Sequence, residues 1–370
     1  MSILHATNSL VDNRSRINLS PAKNKDEFES RLPDIFKYAT PNEFNQFKNS
    51  NQDLYNKWYE KSCNLPGNPL TTALKLKNIA LARFFVDTGV ICSREALNYS
   101  AMDDITPLQL AVQTGDISII KKLKDLGADF RVKDSYCDTN MMHFAALSGS
   151  IEVVELVRTW PYLEGFTGRH SSIVPEAFWA AQSGNIECLL HLLKNPPDTR
   201  PLTIPRTPCW WENLHGEDCS WMFYSNGETD PLKFHCEEGT ILHYAAKGGS
   251  ITIASYLVNE CKVPLLLRNH FAAYAIHIAA SKGDVEMVKF LWPLYKKSGM
   301  GIDDLDANGT LLFRAVRTGS LPLTQFLVNE GASKFKGNAC GKYTSVSEIV
   351  NYPEYKFKEI KNYIMATSTP

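Results

Sequence analysis

Long hydrophobic runs are missing from this chain: nowhere in its 370 residues does an apolar stretch approach the roughly 18 residues that a membrane-spanning helix needs. No membrane span is therefore expected, and the apolar run in the opening stretch MSILHATNSLVDNRSR is too short for a secretory signal. An excess of charge of one sign is missing too. Lys and Arg number 39 against 40 Asp and Glu, with no long block of either. That balance removes the general field that draws a protein to nucleic acid or an anionic surface, so neither is expected as a partner. Cysteine is too thinly spread for a disulfide framework: nine residues, an odd number, lie scattered between Cys63 and Cys340, which favours a reducing cytosol. Catalytic motifs are absent as well. There is no Gly-x-Ser-x-Gly elbow, no phosphate loop, no His-Glu-x-x-His and no cysteine in a protease setting, so neither an enzymatic activity nor a cofactor is expected. A balance of 44% hydrophobic and 21% charged residues is enough to bury a core.

What the chain does have is self-similarity. "ITPLQLAVQTGDISIIKKLKDLGAD" (105–129) is matched by "TNMMHFAALSGSIEVVELVRTWP" (139–161), "VPEAFWAAQSGNIECLLHLLKNP" (174–196) and "GTILHYAAKGGSITIASYLV" (239–258). "YAIHIAASKGDVEMVKFLWPL" (274–294) and "TLLFRAVRTGSLPLTQFLVNEGAS" (310–333) continue the pattern. A glycine punctuates each copy at Gly115, Gly149, Gly184, Gly249, Gly283 and Gly319, in steps of 34, 35, 65, 34 and 36 residues. The long step is one period plus an insertion. Each copy reads as an apolar helix with a small Ala (Ala111, Ala145, Ala180, Ala245, Ala279, Ala315), a break, and a second helix with apolar residues at helical spacing. One such helix pair cannot bury its apolar face alone, so copies must stack. Glycine after the first helix suits a left-handed C-terminal cap.

These residues resemble the ankyrin repeat family, whose pattern Thr-Pro-Leu-His-x-Ala-Ala, Gly, Gly-Ala-Asp is matched best by "TPLQLAVQTGD" with "LGAD". The resemblance implies an all-α solenoid of about seven to eight helix-turn-helix units with short hairpin loops and one long insertion. "ILHYAAKGG" and "AIHIAASKG" keep the family histidine, whereas Phe178 and Phe313 replace it in two other copies. A first degenerate copy, 68–90, has Lys77 where glycine is usual, and a last one, 343–364, has the polar face that a terminal repeat needs. The expected organisation is a disordered N-terminus at 1–20, a helical N-terminal cap at 21–66, repeats at 67–196, the insertion at 197–238, repeats at 239–336, and a capping repeat and tail at 337–370.

His143, His243 and His277 invite a catalytic reading. They recur at one repeat position, so one local explanation must serve all three: an imidazole that hydrogen-bonds the turn before it and ties hairpin to helix. They are read as scaffolding.

The insertion, "PDTRPLTIPRTPCWWENLHGEDCSWMFYSNGETDPLKFHCEE", holds three of the seven tryptophans and three of the nine cysteines. Its aromatic content is too high for a disordered linker. It fits an ordered loop packed on neighbouring repeats, a partner-binding element anchored by Trp210, Trp211 and Trp221, or a metal site built from Cys209, His215, Cys219, His235 and Cys236. The ligand types suit zinc, but the spacing lacks a Cys-x2-Cys knuckle.

By family resemblance, a protein partner meets the hairpin tips and the exposed side of the first helices. Those positions are Asp103, Asp104, Tyr136, Asp138, Glu237, Glu238, His270 and Phe271 at the tips, and Gln113, Gln182, Lys247, Lys282 and Arg317 before the punctuating glycines. The expected function is a monomeric, non-catalytic protein-interaction scaffold, with an enzyme or zinc module around the insertion as the alternative. Degenerate repeats, the aromatic insertion and the polar end "MATSTP" are also similar to ankyrin proteins that intracellular bacteria deliver into the host cytosol; a eukaryotic adaptor is the other origin considered.

Overall fold

The computed structural model describes residues 17–62, 68–89, 97–98, 105–132, 140–160, 176–195, 232, 235–236, 239–337, 345–352 and 355–367. The chain divides into two compact units, Met1–His170 and Ser171–Pro370. Among the described residues the regular structure of both is almost wholly helix.

The first unit opens with three helices, α1 (Lys25–Tyr38), α2 (Pro41–Ser50) and α3 (Gln52–Ser62). Asn24 caps α1, and Thr40 with Glu43 forms a reciprocal capping box for α2, with Pro41 in its first turn. These are the residue types that satisfy the orphan N–H groups of a helix start. The three helices share an aromatic core: Phe28 stacks on Phe47 at 5.3 Å between centroids, and Phe44 meets Phe85 edge-on at 4.9 Å. Phe85 belongs to the first helix pair, so the same rings fasten the cap to the repeats. Ser20 and Ala22, at the start of the described residues, are tied to this cap. Arg31 Nη1 donates to the Ser20 carbonyl at 2.9 Å, and Asn51 accepts the Ala22 N–H at 2.6 Å. Of the stretch expected to be disordered, 1–16 lies outside the described residues.

Three helix pairs follow in this unit: α4 (Pro69–Lys75) with α5 (Ile79–Asp87), α6 (Pro107–Thr114) with α7 (Ile117–Asp125), and α8 (Met141–Ser148) with α9 (Ile151–Arg158). The sequence of α6 and α7 shows why each pair forms. Thr106 and Gln109 make a capping box, Pro107 occupies the first turn, and Gly115 at φ +82° ends the helix in the left-handed region. Asp116 then caps α7 by accepting the Ile119 N–H at 3.0 Å. Ala111 and Ala145 are completely buried, small enough for α6 and α8 to pack side by side.

The second unit contains α10 (Glu176–Ser183) with α11 (Ile186–Lys194), α12 (Ile241–Gly248) with α13 (Ile251–Ser255), α14 (Ala275–Ser281) with α15 (Val285–Lys297), and α16 (Leu311–Thr318) with α17 (Leu321–Asn329). Helix α13 continues into a π-helical turn at Tyr256–Glu260. A short pair, α18 (Val346–Asn351) and α19 (Lys358–Ala366), closes the unit by burying Val346, Val350, Ile360 and Ile364. First helices pack in chain order, α10 on α12, α12 on α14, and α14 on α16. Ala180, Ala245, Ala279 and Ala315 are completely buried along this row. Although 57 residues separate their ends in sequence, α10 and α12 are direct neighbours. The stack therefore runs past the inserted segment without a gap. Of that segment only Leu232 and the backbone of a two-residue hairpin are described: β1 (His235–Cys236) pairs antiparallel with β2 (Gly239–Thr240).

Two positions test this packing. Lys77 takes the glycine position of the first pair at φ +58°, a region that costs a residue with a side chain about 1–2 kcal/mol. Lys77→Gly should raise stability by about 0.5–1 kcal/mol once the added freedom of the unfolded glycine is counted, read as an upward shift in urea midpoint. A Cβ on Gly248 would collide with the backbone carbonyl of Gln182 on the neighbouring helix. Gly248→Ala should therefore lower stability by about 1–3 kcal/mol in the same titration.

Candidate functional site

Two of the repeated histidines, His243 and His277, lie in the structure as cross-braces, and His143 holds its own helix start. His143 Nδ1 accepts the Asn140 N–H at 3.0 Å, His243 Nδ1 the Thr240 N–H at 3.0 Å, and His277 Nδ1 the Tyr274 N–H at 3.2 Å. An Nδ1 that accepts leaves the proton on Nε2, and that N–H donates onward: from His243 to the Ala273 carbonyl at 3.0 Å, and from His277 to the Asp304 carbonyl at 3.3 Å. Both acceptors lie in the loop leading to the next repeat. Gln109 does the same work with an amide: its Oε1 accepts the Thr106 N–H at 2.7 Å and its Nε2 donates to the Val132 carbonyl at 3.3 Å. Where Phe313 replaces the histidine, the Thr310 N–H reaches the Gly337 carbonyl of the next loop directly at 3.0 Å. A buried Arg314 adds a second tie there, bonded to Asp306 and Ser281. The scaffolding reading of the histidines thus has its geometry.

These braces fix the loops that reach the surface. Asn269 Oδ1 accepts the N–H groups of Phe271 and Ala273, each at 3.0 Å, and Ala272 sits at φ +54°, so the chain turns sharply with Phe271 at its tip. The next tip is tied to this one by the Ala307 N–H donating to the Phe271 carbonyl at 2.9 Å. Asp303 in turn accepts the Ser333 N–H of the third tip at 2.9 Å. Large apolar side chains stand exposed on all three: Leu266, Leu267 and Phe271, then Leu305, then Phe335, the last 60% exposed. His270 lies against Phe271 with 3.7 Å between ring centroids. Leu266, Leu267, Leu305 and Phe335 were missed from the sequence. Their signal was an apolar residue inside a polar turn, as in Asp304-Leu305-Asp306 and Lys334-Phe335-Lys336.

At the ends of the first helices, Lys247, Lys282 and Arg317 are exposed. They stand on α12, on the residue capping α14, and on α16, three neighbours in one row, so successive cations are about one helix spacing, roughly 8–10 Å, apart. Lys247 also lies over the Tyr244 ring at 5.6 Å. Gln113 and Gln182, predicted for the same kind of surface, are half-buried, and Gln182 Oε1 has no hydrogen-bond partner among the described residues. Asp103, Asp104, Tyr136, Asp138, Glu237 and Glu238 lie outside the described residues, as do Trp210, Trp211 and Trp221. Of the candidate zinc ligands, Cys209, His215 and Cys219 also lie outside, and only the backbone of His235 and Cys236 is described. Among the described residues no group of three or more His, Cys, Asp or Glu is placed to hold a metal ion, and no helix is long and apolar enough to cross a membrane.

Residues 262–338 match the family model for ankyrin repeats in three copies. Over 215 residues, 53% of its length, the chain is 25% identical to the probable E3 ubiquitin-protein ligase XBOS33 of Oryza sativa subsp. japonica, and it spans 39% of that protein. The crystal structure of the human ASB11 ankyrin repeat domain aligns over 72% of the chain and all of its own length, at 18% identity and a TM-score of 0.40.

The brace at His277 makes a pH prediction. Burial, with the nearby Arg314 charge adding to it, lowers its pKa from 6.5 to about 3, so the folded state holds it neutral. A folded pKa below the unfolded one contributes stability that is complete above about pH 6.5 and is lost as pH falls toward about 3. Between pH 7.5 and pH 5 the loss should be about 2 kcal/mol. Gln109 already supplies the same bonds without titrating, so His277→Gln should flatten this part of the pH–stability curve, measured as the difference between wild type and variant in urea titrations at both pH values.

Proposed function

We propose that this chain, which matches ankyrin repeats over residues 262–338, acts as a non-catalytic scaffold that binds a partner protein through the second unit. The observation that carries this reading is the row of three tips, the first and second joined by a backbone hydrogen bond, the second and third by the Asp303 carboxylate accepting the Ser333 N–H, and each bearing exposed Leu or Phe. A tip already fixed before binding loses little conformational freedom on association. Large apolar side chains on a rigid support are the anchors that dominate interface energetics. Lys247, Lys282 and Arg317 add a row of positive charge along the first helices. The partner surface that suits both features is apolar with acidic groups beside it. The 197–238 segment is a second binding element in this reading: α10 packs directly on α12, so the helix row is continuous across the insertion, and Trp210, Trp211 and Trp221 are its candidate anchors.

The test begins with affinity capture from cell lysate and identification of the retained protein. Phe271→Ala with Phe335→Ala should then weaken that complex about tenfold or more, while the melting temperature stays constant because both side chains are exposed. Reversing Lys247, Lys282 and Arg317 to Glu should slow association and reduce its dependence on salt. Unchanged affinity in both variants would remove the second-unit surface from the function and leave the 197–238 segment as the site.

A further inference from the structure

The N-terminal cap of the first unit holds an open groove of about 810 Å³ between α1, α3 and α4. Its floor is Phe28, Leu32, Phe36, Leu54, Trp58 and Leu76. Phe28 and Phe36 are buried and committed to the aromatic core, but Leu54 and Trp58 are only half-buried, so the cap leaves apolar surface uncovered after its own packing is complete. The rim has the opposite character. Lys25, Lys57, Lys61 and Lys75 line it against a single carboxylate, Glu29, which pairs with Lys25 at 3.5 Å. Lys57 and Lys61 add positive charge to this rim beside the Lys25–Glu29 pair, in a chain whose formal net charge is -1.

We propose that this groove is the docking site for an acidic amphipathic helix of a partner protein. Such a helix lays an apolar stripe, spaced i, i+3, i+4 and i+7, into a hydrophobic groove between helices, and Asp or Glu on its flanks meets the lysines on the rim. Charge complementarity argues against the chain's own first residues as the occupant: residues 1–16 carry Arg14 and Arg16 against Asp12, the same sign as the rim. An open groove also suits a helix better than a small ligand, which pockets typically enclose over about 70–90% of its surface. The groove belongs to the first unit, so this inference does not rest on the tips of the second.

The experiment uses the full chain and a set of fluorescein-labelled helical peptides of about 18 residues, five turns, with Leu, Ile, Phe or Met on the apolar stripe and Glu on both flanks. Binding is read by fluorescence anisotropy. Members of the set should bind, added salt should weaken them, and Lys57→Glu with Lys61→Glu should cost about tenfold or more in affinity. Both lysines are exposed, so the melting temperature should not move. Leu54→Gln, at the half-buried edge of the floor, should weaken binding in the same way. The proposal is overturned if no member of the set binds, if a Lys-flanked set binds equally well, or if the double lysine variant has no effect. It is also overturned if a synthetic peptide of residues 1–16 displaces the probes, which would make the chain's own start the occupant, or if oleate fills the groove and no peptide does, which would make it a lipid site.

Discussion

A neutral imidazole engaged at both ring nitrogens is the contact on which the second unit's exposed tips depend. His243 and His277 each take the N–H at the start of their own helix and give a proton to the carbonyl of the following loop. The first bond closes a helix start that would otherwise leave a buried donor unpaired, at a cost of about 1–3 kcal/mol. The second sets where the next loop runs. The acceptor of His277, Asp304, is followed at once by the exposed Leu305, and the acceptor of His243, Ala273, closes the turn that carries Phe271. Stability and the placement of the exposed tips therefore share the same atoms.

The variation among repeats follows from one constraint: the N–H at each first-helix start must find an acceptor, and each loop must be held. Gln109 meets it with an amide, whose oxygen and nitrogen sit where the two imidazole nitrogens do. The copy with Phe313 meets it differently, letting Thr310 reach Gly337 directly and adding the buried Arg314 and Asp306 pair. Burial raises the Asp306 carboxyl pKa and lowers that of the Arg314 guanidinium, the direction expected when two charges leave water. Their mutual contact offsets that cost. The same guanidinium helps to keep His277 uncharged, so the two solutions are coupled across neighbouring repeats.

The first unit uses a different device at its start. Its cap is packed with aromatic rings, Phe28, Phe36, Phe44, Phe47, Tyr55 and Trp58. At the other end of the chain, α18 and α19 close the second unit with aliphatic residues, and Tyr355 donates to the Val316 carbonyl at 2.9 Å.

The sequence by itself determined the helix pairs, their order and their caps, because these are set by contacts a few residues apart. The punctuating glycines need left-handed backbone, the small alanines permit close helices, and the histidine spacing marks a side chain facing its own helix start. Period and residue type carry all of that information. The tertiary structure alone decided which surface residues stand out. Leu305 and Phe335 read as ordinary loop residues until Asp303, Ala307 and the histidine braces fix their turns. Gln113 and Gln182 read as exposed groove positions until neighbouring helices half-cover them. The groove at Trp58 brings together residues of α1, α3 and α4 that share no motif. Exposure is the difference between a side chain's own surface and what its neighbours in space cover, and those neighbours lie a whole repeat or more away in the chain.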